Sequence, residues 1–243
     1  MTRGRRRALV AAALFLLAVG ALAAILVSAG SKPVTPRPPK DRPVLLLLTS
    51  LPLVFGEDFS LQQVGSPALS ALQTRYKVVP ISVADPAELA KGRLLLMAQP
   101  LAQPAEDLVA LDRWVRGGGR VLLLADPALD WPSKRPLGDL LRPAPMFMDT
   151  GLLGHWGLRL DAPDGHGVET RKLGGFTIAA VSPGLLSGRC PIARDRFVAR
   201  CAVGRGRATV VADADFLDSA GIGRGARHNL DGLLGELAQL EER

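Results

Sequence analysis

The stretch Leu111-Asp-Arg-Trp-Val-Arg-Gly-Gly-Gly-Arg-Val-Leu-Leu-Leu-Ala-Asp-Pro127 decides the fold of this chain. Its first part continues a helix that opens at Pro104-Ala-Glu-Asp107, where two acidic residues face the positive end of the helix dipole. Leu108, Leu111 and Val115 fall on one face of that helix. The glycines 117–119 supply a left-handed C-cap. Val121 to Ala125 is then an apolar run too short for a helix, which reads as a strand buried on both faces of a parallel sheet.

The same alternation extends in both directions. Val44 to Thr49 and Arg93 to Met97 are further buried strands, and Tyr76 to Val83 reads as another. Ser66-Pro67 places an N-cap serine before a proline at the first helical position, and Asp85-Pro-Ala-Glu88 is a capping box whose short helix stops at Gly92. Downstream, Phe197 to Val203, the Gly204-Arg-Gly206 turn and Ala208 to Ala212 predict an antiparallel hairpin. A closing helix starts at a capping Asn229, with Leu230, Leu233, Leu234 and Leu237 at helical spacing. Between Pro127 and Cys201 only short pieces such as Phe176 to Val181 are legible. The expected fold is a three-layer α/β domain, a mostly parallel sheet flanked by helices with a C-terminal hairpin and helix.

Ala8 to Ala29 is a 22-residue run without charge behind Arg3, Arg5, Arg6 and Arg7. A helix of that length spans about 33 Å, matching a hydrocarbon core of roughly 30 Å. It predicts a single-pass signal-anchor in the cytoplasmic membrane, with residues 1–7 as a cytoplasmic tail and residues 44–243 as one extracytoplasmic domain. Val27-Ser-Ala29 leaves the alternative of a cleaved signal open. Residues 30–43, rich in proline, read as a semi-rigid spacer.

The net charge of +7 invites a nucleic-acid reading, which the distribution of charge removes. Residues 1–43 hold eight Lys/Arg against one Asp/Glu, so residues 44–243 carry 22 of each sign. No nucleic-acid partner is expected. The basic residues near the anchor fix topology or touch lipid head groups.

Ligands of open α/β sheets bind outside the carboxyl ends of the strands. The candidates there are Thr49, Ser50, Gln99, Asp126, Asp213 and Asp215. A nucleophile on a sharp strand-to-helix turn is missing, since Met97-Ala-Gln-Pro100 has neither Cys nor Ser. Phosphate-cradling glycine motifs are missing too. Asp126, Asp213 and Asp215 admit two readings: caps for the following turns, or carboxylates of a divalent-metal hydrolase. The first predicts no metal, no cofactor and no catalytic residue. His155, His166 and His228 lack any paired metal-ligand spacing. Trp131 and Trp156 read as core fillers before ligand stackers. Cys190 and Cys201 form either a disulfide or two buried thiols.

The helix–glycine–strand segment 111–127, the run Gly204-Arg-Gly-Arg-Ala-Thr-Val-Val-Ala-Asp-Ala-Asp-Phe-Leu-Asp218 and the helix from Asn229 together resemble the auxiliary domain of gliding-motility-type ABC transport systems. The resemblance implies a fold similar to class I glutamine amidotransferases and flavodoxin-like proteins. It also implies a non-enzymatic, membrane-anchored accessory role, with an ABC permease and ATPase pair or another envelope protein as partner.

Overall fold

A computed structural model describes residues 33–56, 65–136, 138–139 and 141–242. The expected anchor at residues 8–29 lies outside the described residues. Among the described residues, no helix is long and apolar enough to cross a membrane.

Strands and helices alternate through the first half: β1 (Val44–Thr49), α1 (Pro67–Gln73), β2 (Lys77–Pro80), α2 (Pro86–Leu89), β3 (Leu94–Ala98), α3 (Ala105–Arg116) and β4 (Arg120–Leu124). The caps are those the sequence predicts. Ser66 accepts from the Leu69 amide at 3.1 Å, and Asp85 accepts from the Glu88 amide at 2.7 Å. In the glycine run the left-handed residue is Gly118, at φ +114°. The strand read from Tyr76 to Val83 is shorter, ending at Pro80; the Ile81 amide still donates to the Leu47 carbonyl at 2.9 Å, and the chain then bends at Ser82 and Val83 toward α2.

The second half contains α4 (Leu152–His155), β5 (Leu158–Asp161), β6 (Val168–Leu173), β7 (Phe176–Val181), β8 (Leu185–Gly188), β9 (Val198–Val203), β10 (Gly206–Val211), α5 (Ser219–Ile222) and α6 (Asn229–Glu242). One six-stranded sheet runs β2-β1-β3-β4-β10-β9. Its first five strands are parallel, and β9 pairs antiparallel with β10 at the edge. With β10 as the fifth parallel strand, this is the flavodoxin-like order 2-1-3-4-5. Helices cover both faces, so Leu45, Leu46, Leu95, Leu96, Val121 and Leu122 are fully buried.

The pairs β5–β8 and β6–β7 form two small antiparallel sheets. The β6–β7 turn lies on α6 at a backbone-to-backbone approach that only glycine permits: a Cβ on Gly235 would stand 2.3 Å from the Gly174 carbonyl. Asn229 opens α6 as expected, but its side chain works across the fold. It accepts from the Ala179 amide and donates to the Ala179 and Phe216 carbonyls, at 2.8, 2.8 and 2.9 Å.

The proline-rich stretch is not a free spacer from Pro33 onward, because the compact unit begins at that residue. Val34 packs on the core, the Arg37 amide donates to Thr74, and its guanidinium pairs with Glu241 at 2.9 Å. Arg75, itself buried, donates to the Thr35 carbonyl, so side chains outside the proline pattern dock this segment. The cysteines are joined, Cys190 to Cys201. The Ile192–Ala199 bridge folds the approach segment back beside β9 and brings the two Cα atoms to 5.0 Å.

Candidate functional site

The sheet order brings every sequence-predicted site residue to one edge. Thr49 ends β1, Gln99 follows β3, Asp126 follows β4 by two residues, and Asp213 and Asp215 follow β10. Main-chain pairing continues past the strands: Ser50 N donates to Gln99 O at 3.3 Å, Gln99 N to Leu124 O at 2.9 Å, and Ala125 N to Val211 O at 2.9 Å. Gln99 sits at φ +44°, a left-handed turn at the end of a buried strand. Its amide is spent inward, donating to the Asp126 and Ala144 carbonyls at 3.2 Å each and accepting from the Asp126 amide at 2.9 Å. Gln99 is thus a fully buried clasp between β3, β4 and the segment around Ala144.

The three aspartates form a second buried layer. Asp126 Oδ1 accepts from the Ala128 amide at 2.8 Å, while Oδ2 accepts from Ala214 at 2.9 Å and Asp215 at 3.4 Å, tying β4 to the end of β10. Asp213 Oδ1 accepts from the Phe216 amide three residues on, and Oδ2 from Val181 in β7. The first bond, at 2.9 Å, closes the turn that leads into the 3₁₀ segment Asp215–Leu217, whose N-cap position is Ala214. Asp215 Oδ2 accepts from Asp130 N at 2.8 Å, and its Oδ1 is buried without a hydrogen-bond partner.

Stacking three carboxyls in one dry layer raises their pKa values. Burial lifts Asp126 against the pull of the Ala214, Ala128 and Asp215 amides. Burial and the Asp126 charge push Asp213 well above the usual carboxylate range, and the same two causes raise Asp215 to about 7. Five of the six carboxylate oxygens are committed to main-chain amides. Among the described residues, no group of three His, Cys, Asp or Glu side chains is placed to hold a metal ion.

Thr49 and Ser50 differ from the aspartates in lining an open cleft of about 400 Å³ beside β1 and β2. Ile81, Phe55, Leu141 and Arg135 are among the residues that wall it. Each hydroxyl donates to a main-chain carbonyl, Thr49 to Ala98 at 2.8 Å and Ser50 to Gln99 at 2.5 Å. With their single protons spent, these hydroxyls can accept from a ligand but are not poised as nucleophiles beside a base. Phe55 and Leu141 are 73% and 57% exposed, and Leu101, Met146 and Met148 are also exposed on loops at the same end of the sheet. The cleft size and its apolar walls suit a small-molecule or side-chain ligand.

The sequence reading did not include Phe55, Ile81, Arg135 and Leu141. For Phe55 and Leu141 the available signal was a large apolar residue in a proline- and glycine-bearing loop, after β1 and in the long segment following β4; Ile81 and Arg135 carried none. The histidines do not assemble: His155 lies 3.3 Å from Asp112, His228 lies 3.1 Å from Asp231, and His166 is on the exposed segment before β6. Trp156 is buried and donates to Asp112 at 3.1 Å, while Trp131 is half-buried against the core. Burial works against ionised Asp112, but bonds from Arg116 and Trp156 outweigh it and hold its pKa low.

No protein-family model and no curated protein matches this sequence. Among solved structures, the chain is similar to the cytoplasmic protein STM3548 from Salmonella typhimurium, with a TM-score of 0.51 at 12% identity, covering 82% of this chain and 98% of that one. An exo-β-1,4-mannosidase from Opitutaceae bacterium strain TAV5 matches at TM-score 0.46 and 13% identity, over 82% of this chain and 36% of the mannosidase. A ThuA-like protein from Parabacteroides merdae matches at TM-score 0.38 and 12% identity, over 82% and 90% of the two chains. The chain spans about a third of the length of the glycosidases it matches. These likenesses are likenesses of fold.

Proposed function

We propose that this chain is a non-enzymatic, membrane-anchored binding component of an ABC-type transport or envelope system, and that its ligand enters the cleft at the carboxyl ends of β1 and β2. One observation carries the reading: the carboxylates that a hydrolase would need are turned inward onto main-chain amides. What the edge offers to solvent is an apolar-walled cleft with hydroxyl acceptors at Thr49 and Ser50. The uncharged run at residues 8–29 supports the anchor, and the family resemblance supports a permease and ATPase pair as partner.

The cleft is tested with the dye 1-anilinonaphthalene-8-sulfonate. Native protein at neutral pH should enhance its fluorescence, and the double variant Phe55→Ser, Leu141→Ser should lose most of that enhancement while melting as the parent does, since both side chains are largely exposed. Unchanged dye binding in the variant moves the ligand surface elsewhere. For the anchor, the chain should stay in the membrane pellet after carbonate washing. Recovery of a soluble form beginning at Gly30 replaces the anchor with a cleaved signal.

A further inference from the structure

The end of the sheet opposite the cleft carries a different chemistry. Register places Val44 beside Lys77, Leu45 beside Leu94, Leu94 beside Arg120, and Arg120 beside Arg207. Lys77 and Arg120 therefore open their strands, Arg93 immediately precedes β3, and Arg207 stands second in β10. Neighbouring strands lie roughly 4.8 Å apart, and like charges set side by side on them oppose folding. Arg205, in the β9–β10 turn, and Arg113, in the last turn of α3, add to the same rim.

Lys77, Arg93, Arg113, Arg120, Arg205 and Arg207 make no ion pair among the described residues, and all except the half-buried Arg120 are exposed. Of the acids at this end, Asp112 pairs with Arg116 and Glu241 with Arg37, while the exposed Asp41 and Glu242 make no ion pair among the described residues and leave the cations in excess. The carbonyl end of α3 accounts for Arg113. It does not account for Lys77 and Arg207, which are strand residues, or for Arg93, which directly precedes β3.

A residue range with equal numbers of each charge is thus polarised, with aspartates at the carboxyl edge and unpaired cations at the amino edge. A hollow of about 340 Å³ at this rim lies between Arg93 and Arg120, with Glu241 on its wall. Its size and two guanidinium groups suit a phosphate-bearing head group. The chain also enters the compact unit here, because the Lys77 amide donates to the Pro43 carbonyl at 2.9 Å and Val34, in the segment leading to Pro43, packs on the core.

We infer that the amino-terminal rim of the sheet is a docking face for the anionic head groups of a membrane, holding the cleft toward the opposite, aqueous side. The inference rests on the membrane-anchored reading. Anionic lipid fits better than nucleic acid because the rim adjoins the point where the chain enters the unit, and because unpaired cations near a charged bilayer gain attraction within about a Debye length.

The test uses the full chain in nanodiscs of phosphatidylcholine alone or with about 30 mol% phosphatidylglycerol, enough anionic lipid for such attraction to operate. Lysine acetylation is followed by mass spectrometry at Lys77 on the rim, at Lys91, which lies between α2 and Arg93 and pairs with Glu88 at 2.5 Å, and at Lys172 on β6. The anionic discs should slow modification of Lys77 and Lys91 about threefold or more, with Lys172 unchanged, and high salt should erase the difference. Arg93→Glu with Arg207→Glu should abolish the protection with an unaltered circular dichroism spectrum. Equal rates in both discs overturn the inference, as does a salt-sensitive complex with duplex DNA that outcompetes the anionic discs. Retention on neutral discs reads the anchor separately. A chain that is not retained, yet whose Lys77 and Lys91 are protected by anionic vesicles, loses the anchor and keeps the docking face.

Discussion

Asp215 lies in a dry layer with Asp126 and Asp213, so replacing it by asparagine should stabilise the protein at alkaline pH. In the fold its carboxyl keeps a proton up to about pH 7, because of burial first and the Asp126 charge second, whereas its ordinary value is 3.8. Between those limits the folded state holds about one proton more than the unfolded chain. Stability from a raised pKa is present at low pH and is lost as the pH rises through the folded value, at about 1.4 kcal/mol per pH unit. From pH 5 to pH 8 this group alone takes away about 3 kcal/mol. Asparagine keeps an acceptor for the Asp130 amide and has no charge to bury. Asp215→Asn should therefore match the parent within about 1 kcal/mol at pH 5 and exceed it by about 2–3 kcal/mol at pH 8. A residual slope from Asp126 and Asp213 should remain, since burial raises both. Urea unfolding of residues 33–243 at the two pH values, at constant ionic strength, reads this directly. Parallel pH profiles for parent and variant, or a variant weaker at pH 8, would refute the reasoning.

Asn229→Ala removes three buried hydrogen bonds and leaves the Ala179 amide and two carbonyls unpaired; it should cost about 2–4 kcal/mol and lower the melting temperature by roughly 5–15 °C in calorimetry. A loss under about 1 kcal/mol would mean that water or a neighbour replaces the amide. The bond between Cys190 and Cys201 closes a short loop, so the paired Cys→Ser variant should lose about 3 kcal/mol in the same urea assay, and no loss would show that the bridge adds nothing to the folded state. Arg200 holds the buried Glu236 through two bonds of 2.8 and 2.5 Å; Arg200→Ala should cost about 3–5 kcal/mol by stranding that carboxylate, and a cost near zero would mean Glu236 takes up a proton or reaches solvent.

The parallel half of the fold was legible because each strand there is a continuous Leu- and Val-rich run between recognisable caps. Ser66, Asp85 and Gly118 act where local sequence places them. The region from Pro127 to Leu186 resisted reading because its strands pair in two-stranded sheets, so that β6 leaves one face exposed and reads as the alternating, mostly polar Val-Glu-Thr-Arg-Lys-Leu rather than as an apolar run. The candidate site was legible by position and not by orientation. Strand ends located Thr49, Ser50, Gln99 and the aspartates, but only tertiary packing decides that Gln99 and Asp126 face the interior while Thr49 and Ser50 border a cleft. Asn229 illustrates the same limit: an N-cap position in sequence, it is a cross-link to β7 in three dimensions.

A structural aspartate layer implies that the carboxyl edge binds without metal-dependent chemistry. Thermal melting of the purified protein with and without millimolar Mg²⁺ or Ca²⁺ tests it most directly, alongside Asp213→Asn and Asp215→Asn. Unchanged melting on adding either ion, in all three proteins, is the predicted result. A rise in the parent's melting temperature by mass action, abolished in both variants, would contradict the account and make the layer a metal centre.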